Sequence, residues 1–161
     1  IVCSLVGSEM CIRDRGCSIP LTKLHNKETK FILTYEDTDC YIPLHKKLFN
    51  LKRPFNHILQ WGLAFEKKNK FLEILLNKII ETYPNYKNKI FENPKLAILN
   101  FTGPGMYTYV MREYLSNMSL NNVKELDIKF NNNGIFKLKG SQLRYQIQSS
   151  YTYLKNKKIC K

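Results

Sequence analysis

Leu96-Ala97-Ile98-Leu99-Asn100-Phe101-Thr102-Gly103-Pro104-Gly105-Met106-Tyr107-Thr108 is the stretch whose reading decides the fold. Residues 96–99 form a short continuous apolar run and read as a buried strand. Thr102-Gly103-Pro104-Gly105 follows directly. Two glycines around a proline let the backbone approach a ligand closely; a plain strand-to-helix turn is the alternative. Tyr107, Val110, Met111, Tyr114 and Leu115 then recur at helical spacing. Strand, Gly-rich turn and helix in this order predict an α/β fold. They also aim backbone N–H groups and a helix N-terminus at a ligand.

Working outward, Phe71, Leu72, Leu75, Leu76, Ile79, Ile80 and Tyr83 trace an amphipathic helix of roughly four turns whose stripe reads as core. Asn69 is its expected N-cap, and Pro84 ends it. Phe31-Ile32-Leu33-Thr34-Tyr35 reads as a buried strand. It runs into Glu36-Asp37-Thr38-Asp39, so acidic groups are expected at a strand's carboxyl end, where ligands bind in α/β folds. Residues 40–54, with Pro43 and Pro54, read as a loop, and 55–65 as either helix or strand. Residues 126–130 and 135–139 flank Asn131-Asn132-Asn133-Gly134, a hairpin signal. Residues 143–153 read as a further strand.

Three groups of residues could carry chemistry. Asp37 and Asp39, at i and i+2, could hold a divalent metal through oxygen ligands; turn chemistry is the alternative. In Asn56-His57-Ile58-Leu59-Gln60-Trp61, the single Trp offers a flat platform for a base or sugar, and Gln60 both donates and accepts. A core Trp with a polar neighbour, and a structural His57, are the plainer readings. The Thr102–Gly105 turn is the third.

The formal charge is +13, with Lys+Arg 26 against Asp+Glu 13. Lys supplies most of the basic side chains, and Asn, Ile and Tyr are abundant, which is the pattern of A/T-rich codons. Base reading and bidentate phosphate contacts favour Arg, so the charge is read as a lysine-rich surface rather than a specific nucleic-acid site. An anionic membrane surface remains as a peripheral contact. No apolar run approaches the ~20 residues of a membrane span. Neither a signal peptide nor a transmembrane segment is recognised, so a cytoplasmic location is expected. Cys17, Cys40 and Cys160 are widely spaced, which fits neither a zinc site nor a disulfide framework.

Glu9-Met10-Cys11-Ile12-Arg13-Asp14 matches the translation of the end sequence of a transposon-based sequencing-library kit. Residues 1–15 are therefore expected to be adapter-derived and to pack poorly. Residues 16–161, roughly 145 positions, suffice for one domain with a real core.

Taken in order, Pro20-Leu21, then Phe31-Ile32-Leu33-Thr34-Tyr35-Glu36, Gln60-Trp61, the amphipathic helix and Thr102-Gly103-Pro104-Gly105-Met106-Tyr107-Thr108 resemble glycosyltransferase family 32. The resemblance covers about Pro20 to Leu115. It implies a truncated GT-A, Rossmann-like fold of which this chain is the C-terminal half. The implied activity is transfer of a hexose from a nucleotide-sugar donor to a glycan acceptor, with Mn²⁺ or Mg²⁺ assisting departure of the diphosphate in the intact protein. Glu36, Gln60, Trp61, Thr102, Gly103, Pro104 and Gly105 would line the sugar and acceptor side. In the family's register the metal-binding Asp-x-Asp precedes the Pro-Leu segment, so it would lie upstream of Cys17. Asp37 and Asp39 are then the runner-up metal ligands, and this chain alone is expected to be inactive. A basic nucleic-acid-binding module and a non-catalytic carbohydrate-binding domain are the alternatives.

Overall fold

The structure, a computed structural model, describes residues 15–17, 26–39, 51–59, 64–65, 68–118, 120–128, 135–137 and 155–160. It is a small α/β arrangement organised around one strand, β2 (Phe31–Asp39). Phe, Ile, Leu, Thr and Tyr are strand formers, and here both faces of their run are covered. Phe31, Leu33 and Tyr35 point one way and are fully buried; Ile32 and Thr34 point the other and are buried too. Burial on both faces is the habit of an interior strand in an α/β sheet.

β2 pairs antiparallel with β3 (Asn56–Ile58) and β4 (Ala64–Phe65). It pairs parallel with β6 (Val123–Ile128), in the register Phe31↔Val123 and Leu33↔Glu125. The sheet is therefore mixed. A parallel neighbour demands a crossover, and three α-helices among the described residues lie within it.

α1 (Phe71–Thr82) begins where expected. The Asn69 side-chain oxygen accepts the Phe71 amide at 3.0 Å, and a 3₁₀ turn over Tyr83–Asn85, carrying Pro84, follows its end. Its stripe is only partly core. Phe71 and Leu75 are buried, whereas Leu76 is 55% and Ile80 68% exposed. The helical period predicts which residues share a face, and the neighbouring elements decide how wide a strip of that face is covered.

α2 (Pro94–Phe101) stands where residues 96–99 read as a strand. A four-residue apolar run does not distinguish a buried strand from a buried helix. The flanking residues decide it. The Asn93 side chain accepts the Leu96 amide at 3.0 Å as an N-cap, and Pro94 sits at the first turn, where its missing N–H costs nothing. α3 (Pro104–Ser116) begins after Gly103 and has the expected helical register. The Thr102–Gly105 turn thus joins two helices rather than a strand and a helix.

The core lies between β2, α1 and α3. Phe31, Phe65, Phe71, Tyr107 and Tyr114 form a continuous aromatic cluster with centroids 5.3 to 6.5 Å apart. Each pair contributes about 0.5–1.5 kcal/mol beyond its area. A second cluster seals α2: Tyr86 stacks on Phe101 at 4.5 Å and on Phe91 at 5.5 Å.

Among the described residues the two arms of the expected hairpin are not paired with each other. β6 belongs to the main sheet, and β7 (Ile135–Lys137) pairs instead with β1 (Arg15–Cys17). The first arm of the Asn-Gly segment is thus paired with β2 along one of its edges. β1 includes Arg15, while residues 1–14 and the expected strand over 143–153 lie outside the described residues. A short ribbon of β5 (Ile90–Phe91) and β8 (Lys157–Lys158) completes the arrangement. No helix among the described residues is long and apolar enough to cross a membrane.

Candidate functional site

The acidic run forms the carboxyl end of β2, as its last four residues. Tyr35 pairs with Ile58, and Asp39 with Asn56. Four steps along β2 match two along β3, so Glu36-Asp37-Thr38 bulges. Bulges unpair backbone groups and re-aim side chains. Here the Asn56 side-chain amide donates to the freed Glu36 carbonyl at 3.0 Å. Glu36 is half-buried and Asp37 exposed.

Beside this bulge lies a polar centre. The Tyr35 hydroxyl donates to Glu125 Oε2 at 2.8 Å, and the Lys52 amide donates to the same oxygen at 2.7 Å. From α3, fully buried Arg112 donates to the Arg53 carbonyl at 3.0 Å and to the Asn56 carbonyl. One carboxylate and one guanidinium thus fix the segment 51–56 from two sides. Burial chiefly, and then the Glu125 charge and hydrogen bond, push the Tyr35 phenol far above its usual value, while the Arg112 charge opposes them. Burial also raises the Tyr107 phenol, whose oxygen has no hydrogen-bond partner. Both phenols stay protonated at neutral pH, so Tyr35 acts as a donor and not as a base. The centre positions the backbone of residues 51–56.

The Thr-Gly-Pro-Gly segment is shaped by packing. The Thr102 and Gly103 amides both donate to the Ile98 carbonyl at 3.0 Å. They close the end of α2, so the turn follows a helix and not the strand expected over residues 96–99. A Cβ on Gly103 would lie 2.7 Å from Leu99 Cα and 2.9 Å from its carbonyl oxygen, so glycine is what allows the two helices to meet. Thr102 is exposed, Gly103 and Pro104 are half-buried, and Gly105 is buried.

α3 is registered on β3 by two contacts. Thr108 Oγ1 accepts the Ile58 amide at 2.9 Å, and Arg112 reaches Asn56. Passing from Arg112 to Thr108 therefore runs from Asn56 towards Ile58. The Gly-rich turn, one further helical turn back, lies towards the Leu59 end of β3, and the Glu36 bulge lies towards the Asn56 end. Gln60 and Trp61 lie outside the described residues, as does the Asp39 side chain. Among the described residues no group of three His, Cys, Asp or Glu could hold a metal ion.

No family model, no curated protein and no solved structure matches the chain.

Sequence reasoning missed Arg112 and Glu125. A signal for the first was present: Arg is scarce in this lysine-rich chain, and Arg112 interrupts the apolar face that runs from Met111 to Leu115. An always-charged group on such a face is tolerated only where carbonyls or carboxylates receive it. Glu125, between Lys124 and Leu126, carries no comparable signal. His57 is buried, as the structural reading requires.

Proposed function

We propose that this chain is part of a GT-A sugar transferase of the glycosyltransferase family 32 type, acting on a nucleotide-sugar donor and a glycan acceptor. The observation that carries the reading is the register of α3 on β3. It sets the Thr-Gly-Pro-Gly turn towards the Leu59 end of β3, from which the chain continues into Gln60-Trp61. The Thr-Gly-Pro-Gly-x-x-Thr segment is the most specific part of the resemblance, and its order and spacing relative to Gln-Trp add to it. The both-face-buried β2 with its parallel neighbour β6 suits an α/β sheet of this class. On this reading Trp61 stacks on a sugar, Gln60 bonds its hydroxyls, and the 102–105 turn borders that pocket, while Glu36, proposed for the same side, lies towards the other end of β3. In the family's register the metal-binding Asp-x-Asp precedes the Pro-Leu segment, with Asp37 and Asp39 as the runner-up ligands, and a cytoplasmic location belongs to the same reading.

Trp61 is the single Trp and therefore reports its own site. Its fluorescence is titrated with nucleoside-diphosphate hexoses and with oligosaccharides, each with and without Mn²⁺. A saturable change that is lost in Gln60→Ala supports the reading, and it should persist in the Asp37→Ala, Asp39→Ala double variant. Response to oligosaccharides alone assigns a carbohydrate-binding domain. Response to polynucleotides alone, steeply weakened by salt, assigns a nucleic-acid module. No response to any of them overturns the proposal.

A further inference from the structure

The ribbon of β5 and β8 gathers lysines from two distant segments of the chain. Lys87, Lys89, Lys155, Lys157 and Lys158 are all exposed, and Glu92 is the one acid within the segments 87–92 and 155–158. The pairing Ile90↔Lys158 and Phe91↔Lys157 brings the two segments together although they are distant in sequence. The Asn88 amide donates to the Cys160 carbonyl at 3.2 Å and holds the same edge. Among the described residues none of these five lysines is in an ion pair. Lys87 lies over the Tyr83 ring, and the other four face no carboxylate partner among the described residues.

Alternation along the ribbon separates its two sides. Phe91 turns inward onto Tyr86, with ring centroids 5.5 Å apart. Ile90 turns outward and is 65% exposed, on the same face as its cross-strand partner Lys158. An exposed aliphatic side chain thus stands among lysines.

We propose that this ribbon is a docking surface for an anionic lipid bilayer, with Ile90 entering the headgroup region and the lysines meeting the lipid charge. Amphipathic surfaces of this kind bind by adding buried apolar area to electrostatic attraction. Lysine suits such a surface, because its long stem follows an apolar neighbour while its ammonium stays wet. Single-stranded nucleic acid would instead ask for open aromatic faces on which bases stack. The aromatics here are used internally: Tyr86 is stacked by Phe91 and Phe101, and Lys87 Nζ covers the Tyr83 ring at 5.7 Å. The proposal is independent of the transferase reading and survives or fails without it.

The test is sedimentation of the whole chain with phosphatidylcholine vesicles, with and without phosphatidylglycerol. Binding is expected only with the anionic lipid. Lys157→Gln with Lys158→Gln should weaken it about 25-fold, and Ile90→Asn about tenfold. Removing the same charge elsewhere, by Lys27→Gln with Lys124→Gln, should change it less than about twofold, because screening confines the effect to the patch. Lys157→Arg with Lys158→Arg should retain binding, which separates charge from folding. Equal losses in the two charge-removal pairs would reduce the effect to net charge and overturn the proposal. So would absence of vesicle binding, or patch-dependent binding of a labelled single-stranded oligonucleotide in its place.

Discussion

The Tyr35 hydroxyl donates to the Glu125 carboxylate at 2.8 Å, a bond across 90 positions of sequence that ties the two parallel strands together. It has a signature at alkaline pH. Tyr35 and Tyr107 both hold their protons to higher pH than an unfolded tyrosine, whose pKa is 10.0. Their contribution is complete below that value. It is lost as pH rises above it, because only the unfolded chain then releases the protons, at about 1.4 kcal/mol per pH unit per tyrosine. Urea unfolding at pH 8, 10 and 11 should show this fall. Replacing both tyrosines with Phe should flatten it, and an unchanged slope in the double variant would refute the assignment.

The same two residues should differ at neutral pH. Tyr35→Phe removes a made hydrogen bond and should cost about 1–2 kcal/mol. Tyr107→Phe removes a buried hydroxyl that has no partner. It should be neutral or stabilising by up to about 1 kcal/mol. Equal losses in both would mean that Tyr107 has an unseen partner.

Gly103→Ala should destabilise by about 2–3 kcal/mol, since its Cβ meets the Leu99 backbone rather than a side chain that could swing aside. Denaturant midpoints at constant slope check this. A loss below about 0.5 kcal/mol would mean that α2 and α3 can separate freely.

Arg112→Lys keeps the charge but loses the planar fork that reaches the carbonyls of Arg53 and Asn56. A loss of about 2–3 kcal/mol is expected. Hydrogen exchange should quicken at the Lys52 and Ile58 amides, which depend on the segment and strand it holds. A stable variant with unaltered exchange there would show that the guanidinium does not organise the segment 51–56.

α1 offers an internal contrast. Leu75→Ala should cost about 2–5 kcal/mol, while Ile80→Lys, on the 68% exposed side, should stay within about 0.5 kcal/mol. Similar penalties at both positions would place Ile80 against a partner surface.

What the sequence disclosed follows from the range of the interactions involved. α1 was legible because its period, its Asn69 cap and Pro84 all act within a few residues. β2 was legible because a run of Phe, Ile, Leu, Thr and Tyr has few other homes. The 96–99 run was misread because the decision lay outside it, in Asn93 and Pro94. The hairpin was misread because a local turn signal competed with a distant strand edge. The site was hardest. The Glu36 bulge depends on β3 register, and the Arg112 and Glu125 clamps depend on contacts many residues apart.

The parallel pairing of β2 with β6 has a consequence for the protein's synthesis. The apolar core of β2 leaves the ribosome some 90 residues before Glu125 does, or roughly 5–20 s earlier at typical elongation rates. β3 and β4 can occupy one edge of β2 early. The other edge must wait, exposing backbone donors and acceptors beside Phe31-Ile32-Leu33-Thr34-Tyr35, a segment with the composition that recruits other chains. Shielding of that edge by a chaperone, or slow expression at low temperature, should therefore govern the yield of folded protein more than the stability of the finished sheet does.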